Sequence, residues 1–223
     1  MKALLTGAAG FIGSHLAAKL LDEGSAVIGL DCFADYYPRA VKEANLSSLA
    51  ARAGFTFVEA RIQDADLPRL LDGVTHVFHL AAQAGVRRSW GREFDVYTSS
   101  NIEATQVLLE ACVGRPLERF VYASSSSVYG DHVPLPMQED ASLRPLSPYG
   151  VTKLAAEHLL RAYRASFGLP LTILRYFSIY GPRQPQQKST APFRSYLRER
   201  LAAYPGLTAV RLWRELRERG YAG

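Results

Sequence analysis

The sequence predicts an α/β protein: a doubly wound parallel sheet followed by a short helical C-terminal tail. Two observations predict this fold class. Strand-like apolar runs alternate with helical patterns along most of the 223 residues, as in successive βαβ units. The first apolar run also passes into a helical pattern through a glycine-rich turn, which is typical of the first such unit. Right-handed crossovers then favour the strand order 3-2-1-4-5-6.

The individual elements follow from local signals taken in order along the chain. Gly24 ends the first helix, and Val74–Leu80 is apolar nearly throughout, as expected of a central parallel strand. Ser147 and Pro148 suit the N-cap and first position of the last long helix. The predicted strands are Lys2–Thr6, Ala26–Asp31, Phe55–Ala60, Val74–Leu80, Arg119–Ala123 and Leu171–Leu174. The predicted helices are Phe11–Glu23, Pro38–Ala53, Ala65–Leu71, Glu93–Cys112 and Pro148–Phe167.

The glycine stretch between the first strand and the first helix is predicted to hold a diphosphate. Gly7 lets the chain turn sharply, Gly10 leaves room for a pyrophosphate, and Gly13 lets the helix pack closely on the sheet. The free backbone N–H groups and the positive helix end then face the anion. Because the spacing is G-x-x-G-x-x-G rather than G-x-G-x-x-G, a tight turn without a ligand is the alternative.

Asp31 ends the second predicted strand, eighteen residues past Gly13. An acid at this point can accept hydrogen bonds from the adenosine ribose, which favours NAD over NADP as the cofactor. A strand-end or helix-capping acid is the alternative. Asp64 and Asp66, after the third strand, could likewise reach an adenine or cap a helix.

Tyr149 and Lys153 lie four residues apart near the start of the last long helix, so their side chains share one face. A tyrosine with an ordinary pKa near 10 needs a neighbouring cation to act as a base, and Lys153 with an oxidised nicotinamide would supply it. The polar stretch Ser124–Ser127 follows the fifth strand, where parallel sheets place ligands. An ordinary exposed helix face and a polar turn of small residues are the alternatives.

The composition, 48% hydrophobic and 21% charged, is typical of a soluble globular protein. No apolar run approaches the roughly 20 residues of a membrane span, and the N-terminus lacks a signal-type segment. We therefore expect a cytoplasmic location and no membrane partner. The two cysteines, Cys32 and Cys112, lack disulfide or zinc spacing, so we expect no metal and two buried small side chains.

The charge is uneven along the chain. Residues 183–223 carry nine Arg or Lys and three Asp or Glu, a balance of +6, whereas the rest of the chain carries −1. We therefore divide the chain into a dinucleotide-binding domain, residues 1–184, and a basic helical tail, residues 185–223. Arg211, Arg214 and Arg217 share one predicted helix face in the tail, which would suit phosphates or simply be solvated.

Several motifs occur together in a recognisable order. They are TGAAGFIGSHL at Thr6–Leu16, Asp31, HLAAQAGVR at His79–Arg87, Asn101, SSSSVYG at Ser124–Gly130, SPYGVTK at Ser147–Lys153 and RYFSIYGPRQ at Arg175–Gln184. Residues 1–184 thereby resemble the extended short-chain dehydrogenase/reductases, specifically the NAD-dependent nucleotide-sugar epimerase/dehydratase family. The segment Asp31–Leu46 and the AQAGVR loop look most like UDP-glucose and UDP-glucuronate 4-epimerases. The resemblance implies a Rossmann fold, NAD and a UDP-sugar substrate.

The resemblance also implies site residues. The implied catalytic residues are Ser125, Tyr149 and Lys153. The implied cofactor-binding residues are Gly7, Gly10, Phe11, Ile12, Gly13, Asp31, Ile62, Leu80, Ala81, Ala82, Gln83, Asn101, Tyr149 and Lys153. The implied substrate residues are Arg87, Ser126 and Ser178. The chain departs from the family at Ala60–Ile62, where the customary adenine-contacting acid is absent, and we expect His15 and His79 to be packing residues.

The reaction implied is epimerisation through transient oxidation at the sugar C4. Tyr149 removes the proton from the 4-hydroxyl, Ser125 shares that hydrogen bond, and Lys153 holds the nicotinamide ribose and lowers the tyrosine pKa. Ser126 and Ser127 stand where dehydratases carry Asp-Glu, which argues against a 4,6-dehydratase. A keto-sugar reductase of the same family that uses NAD(P)H is an alternative.

The pattern of the basic segment after Gln184 indicates a different origin from the rest of the chain. The family resemblance stops near Gln184, and the basic segment after it resembles the helix-turn-helix of insertion-sequence transposases. We therefore expect an epimerase truncated in its substrate domain, which would put turnover at risk. The alternative is a DNA-binding fusion fragment, with nucleic acid as the partner of the tail. The helices Glu93–Cys112 and Pro148–Phe167 would form a homodimer interface.

Overall fold

The computed structural model describes residues 1–184, and a compact unit spans Met1–Arg183. Six parallel strands form one sheet in the order β3-β2-β1-β4-β5-β6, as the sequence predicts. The strands are β1 Lys2–Thr6, β2 Ala26–Asp31, β3 Phe55–Glu59, β4 His76–His79, β5 Arg119–Ser125 and β6 Leu171–Tyr176. The predicted tail, residues 185–223, lies outside the described residues.

The helices cover both faces of the sheet. They are α1 Phe11–Asp22, α2 Arg39–Ala50, α3 Leu67–Leu70, α4 Phe94–Thr98, α5 Ala104–Cys112 and α6 Pro148–Phe167. Successive strand residues point to opposite faces: Leu5 packs with α1 and α2, whereas Leu4 packs with α3, α5 and α6. Two cores therefore enclose the sheet, and the carboxyl ends of its strands form a common edge for ligands.

Three differences from the sequence-based boundaries bear on the site. Strands β5 and β6 run two residues further than predicted, because Ser124 pairs with Arg175 and Ser125 with Tyr176. Strand β4 is shorter at both ends. The helix predicted for Glu93–Cys112 is divided into α4 and α5 by a π-helical turn at Ser99–Glu103, a feature often found near functional sites.

Two smaller expectations have clear outcomes. Cys112 is buried, but the prediction that Cys32 is buried is wrong: Cys32 follows the last residue of β2 and is exposed on the loop beyond the sheet. Asp66 is the N-cap of α3, since its side chain accepts a hydrogen bond from the Arg69 amide at 3.3 Å.

Candidate active site and dinucleotide cradle

The turn after β1 leaves no room for side chains at two of its glycines. Gly7 has a φ of +73°, and its amide donates to the Leu30 carbonyl of β2 at 2.8 Å. A Cβ at Gly7 would lie 2.9 Å from the Ala81 nitrogen, and one at Gly13 would collide with the Gly7 oxygen. No side chain of the described residues caps α1 at Gly10, so its first amide groups face the space above the turn.

The loop after β4 is fastened to this turn by buried hydrogen bonds. The Thr6 hydroxyl accepts from the Ala81 amide at 3.1 Å and bonds Nδ1 of His79 at 2.7 Å. The other ring nitrogen of His79 bonds the Thr105 hydroxyl of α5 at 3.0 Å. His79 is thus a packing residue, as predicted, and burial lowers its pKa to about 3, so the ring is neutral.

Asp31 braces the glycine turn from the end of β2. Its Oδ2 accepts from the Ala9 amide at 3.1 Å, and its Oδ1 accepts from the Phe33 amide at 2.9 Å. Lys42 of α2 is buried and places its Nζ 3.7 Å from Oδ1. A carboxylate retains further acceptor sites beyond these contacts, so the ribose contact predicted for Asp31 remains compatible with the geometry.

The Tyr37 hydroxyl points to a missing polar partner at the same turn. Its oxygen is buried without a hydrogen-bond partner among residues 1–184, and a Cβ at Gly10 would lie 3.7 Å from it. Burial, reinforced by Asp31, raises the pKa of Tyr37 to about 12, and the nearby Phe11 amide, which makes no hydrogen bond to the hydroxyl in this structure, lowers it in part. An unpaired buried hydroxyl costs roughly 1–3 kcal/mol, so a polar ligand at this turn would restore its hydrogen bonding.

Asn101 joins the loop after β4 to α6. Its Oδ1 accepts from the Gln83 amide at 2.8 Å, and its Nδ2 donates to the Gln83 carbonyl at 3.1 Å and the Thr152 hydroxyl at 3.0 Å. The side chain is 1% exposed and lies in the π-helical turn. The amide thus fixes Gln83, while direct contact with a cofactor stays a prediction.

The predicted catalytic residues lie at the edge formed by β5 and α6. Ser125 is the last residue of β5, and its Oγ accepts from the Ser127 amide at 3.1 Å. The Tyr149 ring packs edge-on against Tyr97, with 6.3 Å between centroids. Lys153 is 3% exposed, and its Nζ lies 4.6 Å from the centroid of the Tyr122 ring.

Burial shifts the pKa values of both Tyr149 and Lys153, and the effect of Lys153 with a bound nicotinamide on the tyrosine pKa stays a prediction. Burial raises the pKa of Tyr149 above 10, and the interaction with the Ser125 hydroxyl offsets part of that rise. Burial lowers the pKa of Lys153 to about 7 even though the nearby Glu157 raises it. In the cofactor-free protein, Ser125 is thus the neighbour that lowers the pKa of Tyr149.

The other predicted site residues follow the carboxyl ends of strands. Phe11 and Ile12 begin α1, and Leu80 and Ala82 lie in the loop after β4. Ile62 is buried in a 3₁₀ turn after β3, and Ser126 opens a similar turn after β5. Arg87 and Ser178 are exposed beyond β4 and β6. His15 packs edge-on against Phe11, and its Nε2 lies 2.9 Å from the Pro182 carbonyl.

The sequence motifs do not mark Glu157, Arg175 or Lys42, all of which support the site. Glu157 is 1% exposed on α6, and Arg175 of β6 binds its carboxylate through Nε at 3.1 Å and Nη2 at 2.9 Å. The sequence spacing could have indicated Glu157. Tyr149, Lys153 and Glu157 recur every four residues, which places a third ionisable side chain on the same face of α6.

The cradle fits a dinucleotide. Its glycines leave space where any Cβ would collide, its first helical turn presents uncapped amides, and its buried tyrosine hydroxyl lacks a partner. Among residues 1–184 there is no group of three His, Cys, Asp or Glu that could hold a metal ion, and no helix long and apolar enough to cross a membrane.

Proteins similar to this chain are known, and several are nucleotide-sugar epimerases. The chain is 52% identical over 185 residues to the uncharacterized UDP-glucose epimerase YtcB of Bacillus subtilis, which covers 82% of this chain and 58% of YtcB. It is 46% identical over 184 residues to UDP-glucuronate 4-epimerase 4 of Arabidopsis thaliana, covering 80% of this chain and 42% of that protein.

Solved structures of nucleotide-sugar epimerases are also similar to this chain. The crystal structure of UDP-glucuronic acid 4-epimerase from Bacillus cereus, in complex with UDP-glucuronic acid and NAD, has a TM-score of 0.83 at 46% identity. The match covers 89% of this chain and 64% of that chain, so this chain spans less than two thirds of these relatives. The NAD dependent epimerase/dehydratase family matches residues 3–222. The chain therefore belongs to the NAD dependent epimerase/dehydratase family.

Proposed function

We propose that the protein is an NAD-dependent nucleotide-sugar 4-epimerase that acts on UDP-glucose or UDP-glucuronate. One observation carries the proposal: a half-buried Tyr149 and a buried Lys153, one helical turn apart and with Ser125 beside the tyrosine, lie along the same sheet edge as a glycine cradle that fits a dinucleotide. The relatives described above are named for UDP-glucose or UDP-glucuronate epimerisation. The Rossmann architecture supplies the rest of the support.

Each site residue has its own role in the proposed epimerisation. Bound NAD supplies reversible hydride acceptance from the sugar C4. Tyr149 takes the proton of the sugar 4-hydroxyl and returns it, since a phenol hydroxyl can act as a positioned general base. Ser125 donates a hydrogen bond to the same sugar oxygen, and its interaction with Tyr149 favours the ionised phenol. Lys153 adds positive charge and a donor for the cofactor ribose.

The cofactor would be held by the glycine turn and the neighbouring loops. Gly7, Gly10 and Gly13 leave the space for the diphosphate, and the first amides of α1 donate to it. Asp31 accepts from the adenosine ribose, which selects NAD over NADP. Ile62, Leu80, Ala81, Ala82, Gln83 and Asn101 would line the rest of the cofactor groove.

The substrate residues are assigned from their position at the same edge. Arg87 is exposed after β4 and offers a cation for a diphosphate or a uronate carboxylate. Ser126 and Ser178 follow β5 and β6 and offer hydroxyl groups to the sugar. Direct contact by these three side chains would fix the sugar against Ser125 and Tyr149.

The proposed activity is tested by incubating the protein with NAD and either UDP-sugar and following the sugar signals by NMR. We expect the 4-epimer to appear without net consumption of NAD. Tyr149→Phe should reduce the rate by about 10²–10⁴-fold, as expected for loss of a general base. Stoichiometric cofactor consumption on a keto sugar would support the reductase alternative, and absence of both reactions would contradict the proposal for this chain.

The partners and location predicted from the sequence belong to the same proposal. We assign a homodimer formed by the region Phe94–Cys112 and α6, and a cytoplasmic location. The charge balance of +6 over residues 183–223 supports a second candidate function, DNA binding by this basic segment. Duplex DNA binding by the full chain that weakens steeply with salt would support it, and no binding at low salt would contradict it.

A further inference from the structure

Tyr97 of α4 is a buried tyrosine whose hydroxyl bonds the loop after β4. It is 1% exposed, and its hydroxyl donates to the Ala84 carbonyl at 3.0 Å and to the Gly85 carbonyl at 2.8 Å. Buried hydroxyl groups need such partners, because an unpaired one costs free energy. Since one hydroxyl serves two consecutive carbonyls, Tyr97 holds the backbone of the loop at Ala84 and Gly85 in one arrangement.

Gly85 adds a second constraint to the same loop. Its φ of +103° lies in a region that residues other than glycine rarely adopt. A Cβ at this position would lie 3.4 Å from the ring and hydroxyl of Tyr36 and 3.5 Å from the hydroxyl of Tyr97, so the backbone passes close to both tyrosines. Arg87 follows two residues later and begins a 3₁₀ turn, so its direction depends on how the loop leaves Gly85.

The ring of Tyr97 contacts the ring of Tyr149. The two rings lie edge to face, with 6.3 Å between their centroids and an interplanar angle of 77°, an arrangement that aromatic quadrupoles favour. The backbone near Tyr149 is fixed by the cap of α6, where the Ser147 hydroxyl accepts from the Gly150 amide at 3.1 Å. The cap leaves the rotation of the Tyr149 side chain open, so the contact with Tyr97 limits the direction of the phenol beside Ser125.

We propose that Tyr97 is a positioning residue that aligns two parts of the active site: its hydroxyl holds the loop that leads to Arg87, and its ring holds the ring of Tyr149. The inference rests on the proposed function for the roles of Arg87 and Tyr149, whereas the contacts of Tyr97 stand without it. Tyr97 touches neither the sugar nor the cofactor in this assignment. Because its hydroxyl and its ring contact different parts of the site, substitutions can separate their effects.

The kinetic test compares two substitutions of Tyr97. Tyr97→Phe removes the hydroxyl and keeps the ring, so we expect the KM for UDP-glucuronate to rise about two- to tenfold and kcat to stay within about twofold. Tyr97→Met also removes the ring, and its flexible side chain fills much of the space left behind. It should raise KM similarly and lower kcat about two- to tenfold, because the phenol of Tyr149 is then less well directed.

Two further measurements report the same contacts without turnover. NMR of protein with carbon-13 at the tyrosine ring Cζ gives twelve signals, and Tyr149→Phe identifies the signal of Tyr149. We expect this signal to stay near its wild-type position in Tyr97→Phe and to shift in Tyr97→Met, where the neighbouring ring is lost. Trypsin cleavage after the exposed Arg87 and Arg88 should accelerate in Tyr97→Phe, because the loop loses two hydrogen bonds.

Tyr163→Phe is the matched control. The Tyr163 hydroxyl of α6 donates to the Glu110 carboxylate and accepts from Nε2 of Gln106 at 3.2 Å, outside the site. This change also removes a hydrogen-bonded hydroxyl, but it should leave KM, kcat, the Tyr149 signal and the cleavage rate as in the wild type. Tyr97→Leu is a second variant without the ring and should behave like Tyr97→Met.

The outcomes distinguish the inference from the proposed function. An unchanged Tyr149 signal in both variants without the ring would overturn the inference, and so would unchanged KM and trypsin cleavage in Tyr97→Phe. Equal losses of kcat in Tyr97→Phe and Tyr97→Met would also overturn it, because the hydroxyl and the ring would not act separately. A wild type that turns over neither UDP-sugar, in a chain whose Tyr149 signal and trypsin cleavage change as expected, would contradict the proposed function and support the positioning by Tyr97.

Discussion

Buried polar side chains concentrate where the strands of the sheet end. His79 bonds Thr6 and Thr105, Asn101 bonds Gln83, and Glu157 bonds Arg175. A buried polar group costs free energy unless it is paired, so each of these contacts fixes one relative position of strand, loop and helix. At the scale of single residues, the site is therefore held by hydrogen bonds that exclude alternative arrangements.

His79 makes stability depend on pH in a defined direction. Its pKa is about 3 in the folded protein and about 6.5 when unfolded, so only the unfolded chain takes up this proton as the pH falls from 6.5 to 3. We expect the free energy of unfolding to fall by up to about 1.4 kcal/mol per pH unit from this residue. Urea unfolding at pH 7, 6 and 5 measures the slope.

The control for this prediction is the variant His79→Gln. It should make the slope shallower even though it lowers the overall stability, because the glutamine side chain does not titrate. Equal slopes in the wild type and His79→Gln would show that His79 is not the group responsible.

At the scale of elements, the contact between the glycine turn and α1 creates the cradle. Gly13→Ala tests it, because alanine favours a helix by about 1 kcal/mol but its Cβ would collide with the Gly7 oxygen. We expect a net loss of about 1–3 kcal/mol in unfolding free energy and loss of NAD binding, as overpacking displaces the turn. Chemical denaturation and calorimetric titration with NAD measure the two effects.

Gly114→Ala is the matched control. Gly114 has a φ of +74°, but apart from its own chain neighbours no atom of residues 1–184 lies within 4 Å of the position that a Cβ would take, so the change strains the backbone without moving the cradle. It should cost about 1–2 kcal/mol and leave NAD binding intact. A Gly13→Ala protein that binds NAD normally would contradict the close-packing account of the turn.

Elements with strong local signals could be predicted from the sequence, and those defined by distant partners could not. Helix α6 begins and ends as predicted, because Ser147 caps it, Pro148 opens it and Gly168 ends it with a φ of 69°. The extension of β5 through Ser124 and Ser125 depends on pairing with β6, and serines carry little strand signal of their own. The roles of Glu157 and Arg175 likewise arise only when α6 packs beside β6.

At the scale of the whole molecule, exposed apolar side chains support the proposed dimer. Val96 of α4 is 43% exposed and Val151 of α6 is 48% exposed, whereas Val41, at 36%, lies on α2 on the other face of the sheet. We expect the wild type to have twice the chain mass of 24.6 kDa, and Val96→Glu with Val151→Glu to yield monomers. Light scattering after gel filtration measures the mass.

Val41→Glu introduces the same charge at a similar exposure and should leave the mass unchanged. A wild-type protein of single-chain mass would contradict the proposed homodimer, and a monomer produced equally by Val41→Glu would show that the effect is not confined to the helices Phe94–Thr98, Ala104–Cys112 and Pro148–Phe167.

The central claim, a dinucleotide site at the carboxyl edge of the sheet, is tested most directly by NAD binding to the purified chain. At about 100 times Kd, NAD should stabilise the protein by about 2.7 kcal/mol, which raises the Tm by roughly 5–10 °C for a chain of this size. NADP should raise it less, because an Asp31 carboxylate that accepts from the adenosine ribose, as proposed, would repel a 2′-phosphate. No shift with either nucleotide, and no nucleotide released on denaturation, would contradict the account.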